Sequence, residues 1–155
     1  MLVYRISQTK HAGSLTASGI DARWNSLGQK VIYTAGSIAL ACLENLAHRS
    51  GTSLSSGNFS IAIIDIENTI KLSEITVQEL KSFHPEWHKI ESYSITQELG
   101  DKWLLNQDSA VLKVPSSIID LEFNYLINPY HSDFGRIKII NVSKFTFDPR
   151  LKATL

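Results

Sequence analysis

The amino-acid sequence predicts a single α+β domain with a mixed central sheet and flanking helices. Extended segments rich in β-branched residues and one well-patterned helical segment occur along the chain, but they do not alternate with the regular rhythm of a doubly wound parallel sheet. At 155 residues, the chain is long enough to bury a core without metal or disulfide support. Since no internal repeat or low-complexity tract divides it, we expect one domain over residues 1–155.

The first half of the chain contains the clearest element predictions. Hydrophobic patterning favours three strands, at residues 2–6, 31–33 and 59–66. Ser37 is a good N-cap for a helix that runs from Ile38 to about His48. Two segments rich in small polar residues are expected to form loops: 8–21, with one short helical turn, and 50–58 at the surface.

The second half is patterned less clearly. Residues 73–83 fit a short helix and an extended segment equally well, and Pro85 with Trp87 indicates an irregular connection. A helix is expected to begin at Gly100 and reach Leu105. Three further strands are expected, at residues 110–114 with Pro115 as the stop, at 137–140, and at 144–147, the last two antiparallel through 141–143.

Composition narrows the class of function. Lysine plus arginine equals aspartate plus glutamate at 15 each, and no segment concentrates the basic residues. General electrostatic attraction to nucleic acid or anionic lipid therefore has no support. The lone Cys42 excludes an internal disulfide, and neither an export signal nor a membrane-spanning apolar stretch is evident. We expect a complete, soluble, cytoplasmic protein.

Signatures of metal and phosphate-loop chemistry are absent from the sequence. It contains no glycine-rich phosphate loop and no cysteine cluster, and its five histidines are scattered. His84 and His88 have helical i, i+4 spacing, but Pro85 between them disfavours a metal-binding helix. We therefore expect no metal site.

Three residues spaced ten and eleven apart are the first candidates for chemistry: Arg23, Tyr33 and Glu44. A cation, an aromatic ring and a carboxylate on successive elements could together hold an anionic, partly aromatic ligand. The helical period also places four residues on the least apolar stripe of the predicted helix: Ser37, Ala41, Glu44 and His48.

Each candidate also has a purely structural interpretation. Glu44 could be a solvent-facing glutamate, and Arg23 could stack on Trp24 at the surface. Tyr33 could be a core aromatic residue whose hydroxyl is already satisfied. Arg5 could form a structural ion pair, and Ser116 could cap the turn that follows Pro115.

Several ordered blocks resemble the RES-domain toxins of RES–Xre toxin–antitoxin modules. They span nearly the whole chain: Val3-Tyr4-Arg5, Ala22-Arg23-Trp24-Asn25, Val31-Ile32-Tyr33-Thr34-Ala35, Ala41-Cys42-Leu43-Glu44, Val114-Pro115-Ser116-Ser117, Asn124-Tyr125-Leu126-Ile127-Asn128-Pro129 and Phe147-Asp148-Pro149-Arg150-Leu151. The arginine, glutamate and serine that give the domain its name correspond to Arg23, Glu44 and Ser116. Ala22 and Ser132 depart from the more usual glycine and proline, which concerns local loop geometry only.

The resemblance implies a fold similar to that of ADP-ribosyltransferase toxins, with NAD as the substrate in a cleft. It implies cleavage of the nicotinamide–ribose bond, by an NAD glycohydrolase or phosphorylase, or else transfer of ADP-ribose to a host protein. It also implies an Xre-type antitoxin partner whose C-terminal part covers the cleft, DNA contact through that antitoxin alone, and a possible homodimer within the complex. A non-catalytic antitoxin-binding protein is the alternative from a different class.

These chemistries fit the candidate residues. A carboxylate at Glu44 would stabilise positive charge on the ribose, and the planar fork of Arg23 suits a pyrophosphate. Tyr33 offers its ring to nicotinamide or its hydroxyl to the ribose. Further NAD contacts are expected from Arg5, Asn25 and Ser116.

Overall fold

The computed structural model describes residues 1–49 and 51–152, with the side chains of residues 56 and 152 excepted. Seven strands form one sheet: β1 (Leu2–Gln8), β2 (Ile32–Ala35), β3 (Phe59–Ile66), β4 (Leu72–Glu74), β5 (Val111–Pro115), β6 (Phe123–Ile127) and β7 (Ile137–Phe145). Their order is β4-β5-β6-β2-β1-β3-β7. The β4–β5 pair is parallel and the other neighbours are antiparallel. The predicted α+β class with a mixed sheet is confirmed.

Five α-helices accompany the sheet in the described part of the chain: α1 (Thr9–Ala12), α2 (Ile38–His48), α3 (Gly51–Ser56), α4 (Val77–Phe83) and α5 (Tyr93–Asn106). Ser37 caps α2 as predicted, because its side chain accepts a hydrogen bond from the Leu40 backbone N–H. Thr76 and Glu79 form a reciprocal capping box at the start of α4. None of these helices is long and apolar enough to cross a membrane.

The centre of the sheet is its least regular part. Strand β1 pairs with β3 along seven residues, and β2 pairs with β6 along four. Between β1 and β2, however, the described residues share a single register pair, Tyr4 opposite Ala35. The sheet therefore consists of two well-paired halves, β4-β5-β6-β2 and β1-β3-β7, that diverge where they meet.

Packing fixes the segments on either side of this divergence. Leu40 and Ala41 of α2 pack in a cluster with Ile6, Phe59 and Ile61. A second cluster contains all three tryptophans, Trp24, Trp87 and Trp103. These buried side chains fix the backbone segments around them because interiors are closely packed.

Two helices of the structure differ from the sequence prediction. Residues 51–56 form helix α3 instead of the expected surface loop, while residue 50 lies outside the described residues. The last predicted helix begins at Tyr93, so Gly100 lies inside α5. A Cβ atom at Gly100 would stand 2.8 Å from the Trp24 carbonyl carbon, so this glycine allows α5 to approach the backbone of residues 22–25 closely.

The strands of the second half are also corrected. Residues 137–145 form one continuous strand, β7, and not two strands joined by a turn. Residues 141–143 stay extended because β7 pairs with β3 throughout, and the register shifts by one residue at Ile140. The ambiguous segment 73–83 divides into the end of β4 and helix α4. Strands β4 and β6 were not among the predicted elements.

Candidate active site

A cleft of about 450 Å³ opens where β1 and β2 diverge. Its lining includes residues 4–7 of β1 and residues 33–35 of β2. Successive residues of a strand point to opposite faces of a sheet. Because consecutive residues of β1 and of β2 line the cleft, the cleft lies between the edges of these two strands. Ala41, Glu44 and His48 of α2 form a further wall, so three of the four residues of the predicted stripe face the cleft, while Ser37 caps the helix.

Glu44 is held in the cleft by two side-chain donors. Ser116 Oγ donates to Glu44 Oε1 at 2.9 Å, and Asn124 Nδ2 donates to the same oxygen at 2.7 Å. The other oxygen, Oε2, lies 3.8 Å from His48 Nε2, and the Glu44 side chain is only 22% exposed. The interpretation of Glu44 as a solvent-facing helical residue is therefore wrong.

The surroundings of Glu44 favour its charged form. Burial by itself raises the pKa of Glu44, but the contact with His48 and the hydrogen bonds from Asn124 and Ser116 outweigh it. The net effect is a lowered pKa, so the carboxylate is ionised at neutral pH.

Arg23 projects into the cleft from a tight turn. Ala22 and Asn25 form a backbone bridge around it, and Gln97 of α5 donates to the Ala22 carbonyl oxygen at 2.9 Å. The guanidinium donates to the backbone oxygens of Trp87 at 3.1 Å and His88 at 2.7 Å. These two bonds leave several of its five donors for other partners.

The aromatic partner of Arg23 differs from the one expected. Its Cζ atom lies 4.5 Å from the centre of the Tyr93 ring, whereas Trp24 is buried in the core. Burial lowers the pKa of Arg23, yet arginine stays protonated in proteins. Within residues 1–49 and 51–152, Arg23 makes no ion pair.

Tyr33 presents its ring to the cleft and its hydroxyl to the protein. The hydroxyl donates to Asn25 Oδ1 at 2.6 Å and accepts from the Trp24 backbone N–H at 3.1 Å. Burial raises the pKa of Tyr33. The interpretation of a satisfied hydroxyl is therefore confirmed, and its proton is not available to a ribose. The ring nevertheless lines the cleft.

Two of the predicted NAD contacts lie behind the cleft surface. Asn25 is 1% exposed, and its amide donates to the backbone oxygens of Ile20, Ser26 and Gln29. Ser116 is fully buried and accepts from the backbone N–H groups of Ile118 and Ile119, as the predicted turn cap would. Asn25 is thus hydrogen-bonded to Tyr33, and Ser116 is hydrogen-bonded to Glu44. Neither Asn25 nor Ser116 lines the cleft.

Arg5 lines the cleft from β1. Its Nη1 donates to the Ser14 backbone oxygen at 3.3 Å, and burial lowers its pKa. No carboxylate of the described residues pairs with it, so the structural ion-pair interpretation of Arg5 is wrong. Two guanidinium groups, those of Arg5 and Arg23, consequently face one cleft without a direct ion pair to a carboxylate of the described residues.

Comparison with known proteins identifies the family. The RES domain family matches residues 2–149. The chain belongs to the RES-domain family. It is 34% identical over 157 residues to "Toxin Res" of Yersinia enterocolitica, covering 98% of this chain and 100% of that protein. "Toxin Res" of Photorhabdus laumondii is 32% identical, with 97% of each chain covered. The expected resemblance to RES-domain toxins is confirmed.

Two further relatives bear on activity and fold. The "Prs ADP-ribosylating toxin" of a Sphingobium species is 31% identical, with 94% of this chain and 91% of that protein covered. The fold is similar to the crystal structure of the M. tuberculosis MbcT–MbcA toxin–antitoxin complex, with a TM-score of 0.76 over 97% of this chain and 86% of that chain. At 17% identity, this second likeness concerns the fold of the RES domain alone.

Two polar residues of this RES domain's site were missed by sequence reasoning. Asn124 belongs to β6, a strand that was not predicted, although an asparagine within an apolar strand is an unusual feature that could have drawn attention. Tyr93 begins α5 and carries no comparable signal, because its role depends on Arg23 reaching it from a distant turn.

Proposed function

We propose that this RES-domain protein is the toxin of a toxin–antitoxin module and that it cleaves the nicotinamide–ribose bond of NAD. The observation that carries this proposal is one cleft lined by an ionised, hydrogen-bonded carboxylate, three arginines (Arg5, Arg23 and Arg49) and aromatic rings. A volume of about 450 Å³ falls within the range of pockets that hold cofactor-sized ligands. Membership of the RES-domain family supports the same substrate.

Arg5 and Arg23 suit the diphosphate of NAD. Each guanidinium makes backbone contacts but no ion pair among the described residues, so its charge can be complemented by a ligand. Charge-assisted hydrogen bonds to phosphate are stronger than neutral ones, and a partly buried cleft strengthens them further. The rings of Tyr33 and Tyr93 add flat surfaces on which nicotinamide could lie.

Glu44 suits the ribose end of NAD. When the bond between ribose C1′ and the pyridinium nitrogen breaks, its electron pair goes to nicotinamide, which leaves as a neutral molecule without needing an acid. Positive charge then develops on the ribose, and a nearby carboxylate stabilises it. The attacking acceptor forms the new bond at C1′, and its proton passes to solvent or to Glu44.

The acceptor distinguishes the finer activities. Water would make the protein an NAD glycohydrolase and inorganic phosphate would make it a phosphorylase. A protein side chain would make it an ADP-ribosyltransferase, which is favoured by the similarity to a relative named an ADP-ribosylating toxin. The residues that hold NAD would be the same in each case.

Product analysis tests the proposal directly. Purified protein is incubated with NAD in the presence and absence of phosphate, and the products are identified by mass. We expect nicotinamide release in each case. The second product should be ADP-ribose if water is the acceptor and a phosphorylated ADP-ribose if phosphate is the acceptor. If a protein is the acceptor, ADP-ribosylated protein should form when a cell lysate is added. Protein that neither releases nicotinamide nor consumes NAD in any of these mixtures would overturn the proposed activity.

An antitoxin partner belongs to the same proposal. The structural relative is a toxin in a toxin–antitoxin complex, and an enzyme that consumes NAD needs an inhibitor in its own cell. We propose that an Xre-type antitoxin covers the cleft, with DNA contact through the antitoxin and a homodimer of toxins within the complex. Size measurement of the co-expressed pair would give its composition.

Replacing Arg5 by methionine is expected to weaken NAD binding about tenfold, because one charge-assisted phosphate contact is lost. The same change should raise the unfolding temperature by a few degrees, since a partly buried cation without an ion pair is replaced by an apolar side chain of similar length. Calorimetric titration with NAD and thermal unfolding measure the two effects. Unchanged NAD affinity would remove Arg5 from the proposed site.

The exposed Lys10 of α1 provides the matched control for Arg5. A Lys10→Met substitution also removes a positive charge near the start of the chain, but Lys10 does not line the cleft. Its NAD affinity should equal that of the parent. A tenfold loss in both variants would indicate a general charge effect and contradict a specific contact by Arg5.

A further inference from the structure

The two oxygens of the Glu44 carboxylate have different surroundings. Oε1 accepts from Ser116 Oγ at 2.9 Å and from Asn124 Nδ2 at 2.7 Å. Oε2 lies 3.8 Å from the imidazole of His48, whose side chain is 65% exposed. One oxygen is therefore tied to donors of the protein, while the other lies beside an exposed side chain of the cleft wall.

Ser116 has its hydroxyl proton directed at Glu44. Its Oγ accepts hydrogen bonds from the backbone N–H groups of Ile118 and Ile119, at 3.1 and 3.3 Å. A hydroxyl has one proton and two acceptor sites. With both backbone donors on the acceptor side, the proton is left for the Glu44 carboxylate.

Asn124 reaches Glu44 from a backbone that is paired on both sides. In β6 it lies opposite Ala35 of β2 and Val114 of β5. Its side chain lines the cleft, in contrast to the fully buried Ser116. A side chain on a doubly paired strand is positioned more closely than one on a loop, and its amide nitrogen can only donate.

We propose that Asn124 is a positioning residue of the site: together with Ser116 it fixes Oε1 of Glu44, so that Oε2 is the oxygen presented to the ribose. The identity of the ligand rests on the proposed function, but the orientation of the carboxylate does not. Asn124 acts through Glu44 and not on the substrate.

Other ionisable groups line the cleft with Glu44 and can also affect its titration, so a test variant must leave them unchanged. The charged or chargeable side chains are Arg5 of β1, Asp21 and Arg23 of the segment before β2, His48 at the end of α2, and the adjoining Arg49. Three phenols complete the set: Tyr4, Tyr33 and Tyr93. Because substitution of Asn124 alters none of them, a changed titration of Glu44 would report the change made at Asn124.

Asn124→Asp tests the inference with a side chain of the same shape. The introduced carboxylate would face Oε1, and like charges disfavour ionisation, so the pKa of Glu44 should rise above its ordinary value of 4.5. Since activity needs the ionised form, the acid limb of the kcat profile should move about one pH unit or more towards neutrality. Below that limb, kcat should fall about tenfold per pH unit, with a smaller change in KM.

A second readout does not depend on turnover. The carboxyl carbon of Glu44, followed by NMR in labelled protein across the same pH range, should titrate at higher pH in Asn124→Asp than in the parent. Asn124→Ala, which removes the donor without adding charge, should shift it in the same direction by a smaller amount and serves if the first variant fails to fold. Asn141→Asp makes the same chemical change on exposed β7 and should leave the Glu44 titration unchanged.

The outcomes separate this inference from the proposed function. If the parent protein cleaves NAD but Glu44 titrates identically in the parent and both Asn124 variants, the positioning role is overturned and the activity stands. If the parent does not cleave NAD, the activity is overturned, and the NMR titration still decides the role of Asn124. Equal shifts in Asn141→Asp and Asn124→Asp would also contradict it.

Discussion

Replacing Glu44 by glutamine is expected to lower the rate of NAD cleavage by about a hundredfold to ten-thousandfold while NAD affinity stays within a few-fold of the parent value. Glutamine keeps the length and shape of the side chain, and its carbonyl oxygen can still accept from Ser116 and Asn124. The substitution therefore removes the negative charge, and with it the ion pair to His48, while the hydrogen bonds from Ser116 and Asn124 are kept. The stabilisation of positive charge on the ribose and the capacity of Glu44 to accept a proton are lost.

Rate and affinity must be measured separately for this variant. Nicotinamide release gives the rate, and the rise in unfolding temperature on adding NAD reports binding without turnover. Glu98 of α5 is exposed and does not line the cleft, so Glu98→Gln is the matched control and should keep full activity. If Glu44→Gln cleaved NAD at the parent rate, Glu44 would have no role in the chemistry.

The same variant separates an enzyme from a binding protein in cells. Expression of the parent should stop growth, and expression of Glu44→Gln should not, even though the variant binds NAD. Undiminished toxicity of Glu44→Gln would favour the alternative that the protein acts through complex formation and not through catalysis. Co-expression of the antitoxin provides the rescue control.

Helix α2 shows which part of the site could be predicted from sequence. Its N-cap and its apolar spacing are local signals, and they gave both its bounds and the stripe that carries Glu44. Arg23 and Tyr33 were identified from unusual residue types next to short apolar runs, and the structure places both beside Glu44 in one cleft. The proposition that these three side chains share a cavity is thus confirmed, while their roles remain proposals.

The parts of the fold and of the site that were not predicted from sequence depend on contacts between distant segments. Strand β6 pairs with β2 and β5, and only that register brings Asn124 next to Glu44, which is 80 residues away in sequence. Strand β7 stays extended through Asn141 because β3 pairs with it throughout, against the turn that its polar residues suggested. Gly100 was predicted to begin a helix, but it lies inside α5, where the absence of a side chain allows the helix to approach the Trp24 backbone. None of these causes is visible in a local window.

Arg23→Lys is expected to reduce kcat/KM for NAD about a hundredfold, mainly through a higher KM, although the positive charge is kept. The guanidinium holds two backbone oxygens at once and lies over the Tyr93 ring, which leaves its remaining donors in a fixed direction. An ammonium group is a compact point charge and cannot make both carbonyl contacts in the same geometry. Steady-state kinetics with NAD measures this loss.

Folding and binding effects of this substitution can be told apart. The carbonyl groups of Trp87 and His88 would lose donors, so the unfolding temperature should also fall by several degrees. Arg136→Lys, at a half-buried arginine that pairs with Glu67 and Asp133 outside the cleft, should leave KM unchanged. KM should be measured at a temperature where Arg23→Lys is fully folded. If the unfolding temperature is lowered but KM equals that of the parent, Arg23 supports the cleft wall and does not bind NAD. A raised KM under those conditions would indicate that the same guanidinium both supports the wall and binds the dinucleotide, because the lysine variant would then be folded, charged and still deficient.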